Sequence, residues 1–193
     1  WVGTAEGLDL FDRNTETFIH VRAGQEHIKD IVQSIVQDAQ GDLWVAHNNG
    51  VVKLTFTHGP AGEGLPPCTS KNLLAGTCFA STDRSGAVWV GQLDLAGFRI
   101  RPDHAGDDRV DTLHLDIPAG KTRTGRNMHD LTGLTVVEDT ARDRLYGLYM
   151  YGVVELDPRS TRVRTLSHLS PQLGQVRGAN ATVDARGRLW IAV

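Results

Sequence analysis

The sequence predicts an all-β chain built from β-propeller blades, each of four antiparallel strands, with about four blades' worth of chain present. Two observations predict it: a short motif that returns at a nearly fixed interval, and strand-like runs separated by turn residues at matching places around each copy. Periodicity is sought first because it decides the whole architecture. Asp38–Val45, Asp83–Val90 and Asp184–Ile191 share one pattern, in which Gly follows Asp by three residues and Trp follows Gly by three. The anchors are Asp38, Gly41 and Trp44, then Asp83, Gly86 and Trp89, then Asp184, Gly187 and Trp190. A degraded copy runs from Asp139 to Tyr146, with one extra residue, no Gly and Tyr for Trp, and Trp1-Val2-Gly3 is the tail of a fifth. The aromatic anchors at 1, 44, 89, 146 and 190 are spaced by 43, 45, 57 and 44 residues.

Each part of a copy has a local reason. Asp-x-x-Gly suits a tight hairpin, because Asp bonds its own backbone two residues on and Gly supplies positive φ at little cost. The run Ile31–Val36 precedes the turn, and Leu-Trp-Val follows it with residues that favour a pleated, half-buried surface. A second turn at Gly7, Gly50, Gly97 or Gly152 leads to a third run, Leu8–Phe11, Val51–Leu54, Phe98–Ile100 or Val153–Leu156, two of them closed by Asp12 and Asp157. A fourth run is visible at Thr17–Val21, Asp111–Leu115 and Val163–His168. Four short strands every ~45 residues match a propeller blade, and no long run has helical period. Trp in a fixed place then fills the layer between neighbouring blades; the competing reading is an aromatic platform for a sugar.

The units expected on this reading are 1–30 (partial), 31–75, 76–133, 134–179 and 180–193 (partial), forming a single propeller domain. Because the chain opens and stops on the second strand of a blade, the expectation is a fragment of a larger ring. Uncovered blade faces or edges then favour self-association.

Composition bounds the function. Of 193 residues 40% are hydrophobic and 22% charged, with net charge −3, which is ordinary for a globular chain and gives no general pull toward nucleic acid or anionic membrane. No apolar run reaches the ~20 residues of a membrane-spanning helix. No basic-then-apolar leader precedes the repeats, which is uninformative in a chain that starts at Trp1. Cys68 and Cys78 are either two unpaired thiols or one disulfide closing a short loop, the latter placing the chain in an oxidising compartment. No ligand spacing builds a zinc site, and no phosphate-binding loop or cofactor motif is present.

The repeat resembles that of the two-component regulator propeller family. Ile31–Leu54 and Trp1–Asp12 carry the resemblance best, Trp89–Ile100 and Val183–Ile191 well, and Val136–Asp157 with a departure at its turn and at Trp. The resemblance implies the periplasmic sensor half of a membrane-anchored bacterial signalling protein whose output is a kinase, a hybrid regulator or a diguanylate cyclase. It also implies polysaccharide fragments as a frequent ligand, and it supplies no catalytic residue.

Propeller binding sites sit on loops positioned by rigid strands. The loops leading into the blades are expected at Arg22–Asp30, Leu65–Gly76, Pro118–Gly133 and Pro171–Ala179. The third concentrates Lys121, Arg123, Arg126, Asn127 and His129, donors suited to a carboxylate or sulfate, and Arg22, His27, Lys29 and Arg177 lie in equivalent loops. The alternative is a solvated basic loop. His20, His47, His114 and His168 fall on or beside strands and read as structural. The expected function is therefore a non-catalytic extracytoplasmic sensor for a polysaccharide fragment or small anion, with no cofactor. A docking scaffold and a propeller lyase or glycosidase are the alternatives, the latter needing paired carboxylates from among Glu26, Asp30, Asp94 and Asp130.

Overall fold

A computed structural model of the chain describes residues 1–21, 28, 30–56, 68–92, 97–103, 107–116, 134–149, 152–166 and 181–191. The chain divides into two compact units, Trp1–Ala80 and Ser81–Val193. Every helix or strand among the described residues is a strand, and these assemble into antiparallel blades.

In the first unit, β1 (Val2–Thr4), β2 (Gly7–Asp12) and β3 (Thr17–His20) form a three-stranded sheet in that order. The next blade is the meander β4 (Val32–Gln37), β5 (Leu43–His47), β6 (Gly50–Phe56) and β7 (Cys68–Ala75). Side chains alternate across a strand, so Leu43 and Val45 of β5 share a face with Val52 and Leu54 of β6; these pack with Leu8 of β2 and with Ile28. The β7 strand corrects the sequence reading, which has Leu65–Gly76 as a loop. Cys-Thr-Ser-Lys-Asn-Leu-Leu-Ala lacks clean alternation, yet it pairs with β6 from Phe56↔Cys68 to Gly50↔Ala75, with a bulge at Val51/Val52. That irregularity disrupts the two-residue period on which recognition depends.

A third blade is ordered β11-β10-β9-β8, from β8 (Cys78–Thr82), β9 (Val88–Gln92), β10 (Gly97–Arg101) and β11 (Arg109–Thr112); β8 carries the division between units. The run expected at Asp111–Leu115 is in fact two strands. Leu113 is buried, its amide bonded to the Gly97 carbonyl, and beyond it β12 (His114–Asp116) joins the following blade. That blade, β13 (Thr135–Asp139), β14 (Arg144–Tyr149), β15 (Gly152–Leu156) and β16 (Arg162–Thr165), takes β12 in parallel along β16, with Leu115↔Val163. The final pair is β17 (Ala181–Val183) with β18 (Leu189–Ile191).

Within the second unit the blades stack through apolar faces. Trp89 of β9 packs with Leu134, Val136, Leu145, Val154, Leu156 and others. Leu148, Val153 and Leu166 face Ala181, Leu189 and Ile191. The Ser81 hydroxyl accepts the Val136 amide at 2.9 Å, tying the first strands of adjacent blades. In the first unit Ser34 does the same for the Ala80 amide at 2.7 Å.

Cys68 and Cys78 are both free thiols. They begin successive strands, and eight residues of extended β7 cover roughly 23 Å, whereas a disulfide needs Cα atoms within about 7 Å. Burial pushes both thiols up, Cys78 to about 11, which keeps them protonated and inert.

Candidate functional site

The repeated turn explains why Asp, Gly and Trp recur. In each full copy the Asp carbonyl accepts the Gly amide: Asp38 from Gly41 at 3.1 Å, Asp83 from Gly86 at 3.0 Å, Asp184 from Gly187 at 2.8 Å. Gly41, Gly86 and Gly187 hold φ of +91°, +81° and +71°, which a side chain resists. One carboxylate oxygen accepts backbone N–H groups two and four residues on, as Asp38 does from Gln40 and Asp42, both at 3.0 Å. The other oxygen accepts the indole N–H: Trp44 to Asp38 at 2.7 Å, Trp89 to Asp83 at 2.8 Å, Trp190 to Asp184 at 3.0 Å. The Trp is thus both packing and hydrogen-bond partner of its own turn. A cation lies over the ring: Lys53 is 5.2 Å from the Trp44 ring and Arg99 5.7 Å from that of Trp89, each on the rung directly across from its Trp.

The fourth blade departs from this plan. Asp139 keeps its place, but the Arg142 guanidinium takes the indole's role, donating to the second carboxylate oxygen at 3.1 Å. Arg142 also donates to the Arg186 carbonyl at 3.1 Å, and a Cβ on Gly187 would fall 1.3 Å from its Nη1. The turn's positive φ, +53°, passes to Asp143. Tyr146 stands for Trp, and across the rung from it stands Glu155 rather than a cation.

Beside that rung lies a cleft of about 490 Å³ at the ends of β14, β15 and β16. Arg144, Arg162 and Arg164 border it together with Asp143, Glu155 and Asp157, over Leu156, Pro158 and Val163. Glu155 accepts from Arg164, whose Nε lies at 3.1 Å, and pairs with Arg144 Nη1 at 3.7 Å. Asp143 pairs with Arg84, which also reaches Glu138 at 2.8 Å. Asp157 accepts the Arg159 amide at 2.9 Å and the Ser160 hydroxyl at 2.8 Å, which with nearby Arg159 and Arg99 hold its carboxyl below the usual range against the effect of burial. None of these residues was singled out in the sequence as a ligand contact. The one signal that pointed toward them was the broken motif between Asp139 and Tyr146.

The residues singled out from the sequence as ligand contacts, Lys121, Arg123, Arg126, Asn127, His129, Arg22, His27, Lys29 and Arg177, lie outside the described residues, as do Glu26, Asp94, Asp130 and His168. Asp30 accepts the Ile31 amide at 2.7 Å, a local turn bond. His20 lies 2.5 Å from Asp9, and His47 is buried on β5 with its Nδ1 accepting the Asn49 amide at 3.2 Å.

Residues 28–49 match the family described as two component regulator propeller, so the repeat resemblance read from the sequence holds over the stretch that carried it best. That description associates the propeller with two-component regulation. No curated protein matches the chain in sequence. Among solved structures, the extracellular domain of a one component system from B. thetaiotaomicron is similar to the whole of this chain at 13% identity and TM-score 0.36. The chain spans 31% of that domain's length. No helix among the described residues is long and apolar enough to cross a membrane.

Proposed function

We propose that this chain is part of the extracytoplasmic sensing propeller of a bacterial signal-transduction protein, and that it binds rather than transforms its ligand. The observation that carries this is the family match at residues 28–49, a copy of the Asp-Gly-Trp turn that recurs with the same bonds in two other blades. Rigid turns of this kind suit a scaffold that presents loops. The ligand, a polysaccharide fragment or small anion, is taken by the basic insert through Lys121, Arg123, Arg126, Asn127 and His129; Arg22, His27, Lys29 and Arg177 are further candidate contacts. The parent protein supplies the output domain.

Calorimetric titration with neutral and uronate-bearing oligosaccharides tests this reading. At least one is expected to bind unchanged in length, and Arg123→Ala with Arg126→Ala to weaken it tenfold or more. Cleavage of the bound sugar would turn the reading toward the lyase or glycosidase alternative, and unaltered affinity in the variants would remove the insert as the site. A docking scaffold is the second reading. It is favoured by Phe11 and Phe18, whose tilted rings lie 5.0 Å apart with Phe18 61% exposed, and by Trp190 at 56%.

A further inference from the structure

The blade-4 cleft has an occupied counterpart one blade earlier. On the third blade the corresponding rung is Arg99↔Asp111, with Arg99 donating to Asp111 at 3.0 Å. Arg99 also reaches the next blade, donating through Nη1 to the carbonyl of Pro158 at 2.5 Å. There the guanidinium of the rung itself holds an incoming oxygen acceptor. On the fourth blade the rung is Glu155↔Arg164, and the space beside it is the open cleft.

Three carboxylates and three guanidiniums border that cleft, but two of the carboxylates are engaged from outside it. Asp143 pairs with Arg84, which is shared with Glu138, and both oxygens of Asp157 accept bonds from its own turn; Arg84, Glu138 and the turn donors Arg159 and Ser160 are not among the residues bordering the cleft. Glu155, the third carboxylate, gives its bonds to Arg164 and Arg144. Arg162 is exposed and has no acidic partner among the described residues. The cleft therefore offers guanidinium donors in excess of acceptors, above the apolar side chains of Leu156, Pro158 and Val163. A carboxylate is the acceptor whose planar geometry matches a guanidinium fork.

We infer that the blade-4 cleft is a binding site for a carboxylate carried on an apolar body, anchored by Arg162 with Arg144 as the second donor. The inference goes beyond the sensing role and does not depend on it, since these residues are remote in sequence from the basic insert and binding is read directly. On the third blade the guanidinium of the matching rung, carried there by β10 rather than β16, holds the Pro158 carbonyl.

Calorimetric titration of the whole chain at low salt with benzoate, acetate and sulfate tests it. Benzoate is expected to bind with Kd of about 1–10 mM, as one or two charge-assisted bonds in an open cleft allow. Acetate should bind at least fivefold more weakly and sulfate no better than acetate. Arg162→Ala should weaken benzoate tenfold or more, whereas Arg109→Ala, on the third blade, should leave it unchanged. Sulfate binding as well as benzoate would overturn the apolar-body requirement. Absent benzoate binding, or binding that survives Arg162→Ala, would overturn the site. Loss of benzoate binding on Arg123→Ala with Arg126→Ala would move the anion to the insert instead, a result that sinks the cleft while leaving the sensing proposal standing.

Discussion

Trp89 and Tyr146 hold the same place in neighbouring blades, but the groups around them are rearranged as sets. In the third blade Asp83 binds the turn and the Trp89 indole, and Arg99 covers the ring from the opposite rung. In the fourth, Asp139 binds the turn and a guanidinium, Tyr146 has lost the indole N–H, and the opposite rung is acidic. What stays constant is the turn carboxylate with a donor on its second oxygen. The donor is replaceable, and once the indole goes the ring-covering cation goes with it. Glu155 then turns to Arg144 and Arg164, and the cleft lies beside it. The carboxylate is the structural constant of the repeat, and the aromatic is the part that specialisation can spend.

The sharpest way to break this comparison is to truncate both aromatics. Trp89 is fully buried in the apolar layer, so Trp89→Ala should cost about 3–5 kcal/mol. Tyr146 is only partly buried, and Tyr146→Ala should cost about 1–2 kcal/mol. Chemical denaturation followed by circular dichroism reads both; equal losses would mean the fourth blade relies on its aromatic as much as the third. Next, Asp83→Ala removes acceptors from the Ser85 and Ala87 amides and from the indole, and about 2–3 kcal/mol should be lost. Arg142→Ala tests whether the guanidinium stands in for the indole. Asp139 keeps its bond to the Arg142 amide at 3.2 Å, so the expected loss is smaller, about 1–2 kcal/mol.

The rungs can be separated by pH. Burial opposes the charged form of Asp111, but bonds from Arg99, Arg101 and Arg109 outweigh it and hold its carboxyl below the usual range. A depressed folded-state pKa gives stability that is present above the unfolded value, near 4, and lost as pH falls through the folded value. Asp111→Asn should therefore lower stability at neutral pH and flatten the acid limb of the pH–stability curve. An unchanged limb would mean that the three arginines do not act through this carboxylate.

The blade plan was legible because its turn chemistry is local: Asp, Gly and Trp act within seven residues, so their spacing survives in sequence. Strand β7 was not, because its pairing is set by β6 across a bulge and not by its own pattern. Neither was the break at Leu113, which joins the same buried cluster as Trp89 before the chain passes to the next blade. The cleft was hidden for a similar reason. Arg144, Glu155 and Arg164 look like solvated strand charges until antiparallel pairing sets Glu155 across from Arg164, with Arg144 two residues along β14 from the Tyr146 that Glu155 also faces. Arg142 reads as a surface residue in a degraded turn, and only the geometry shows it filling the place of an indole.

Gly187→Ala sharpens the link between the fourth turn and the fifth. The new Cβ would meet Arg142, and the guanidinium must leave Asp139 to make room. Gly41 has no such neighbour, its nearest atom being Gln37 Nε2 at 3.8 Å, so Gly41→Ala carries only the left-handed backbone cost of about 1–2 kcal/mol. Gly187→Ala should therefore be the more damaging of the two, and the excess should vanish in an Arg142→Ala background. If the excess persists there, the collision with Arg142 is not its source.

The smallest expected effect is a gain. Asp143 occupies the left-handed place that Gly holds in the other turns, and a side chain there costs about 1–2 kcal/mol relative to glycine. Asp143→Gly removes that strain but also the ion pair with Arg84, whose two side chains are 52% and 65% exposed. A pair so exposed contributes about 0–1 kcal/mol. The strain is the larger of the two, so Asp143→Gly should raise stability slightly, by up to about 1 kcal/mol, less the entropy that glycine returns to the unfolded chain. Asn tolerates the same φ and cannot form the ion pair, so Asp143→Asn isolates the electrostatic part. A midpoint that rises for Gly and falls slightly for Asn would assign the cost to the backbone. A fall for both, by similar amounts, would make the Arg84 contact the reason that Asp stands where the repeat has Gly.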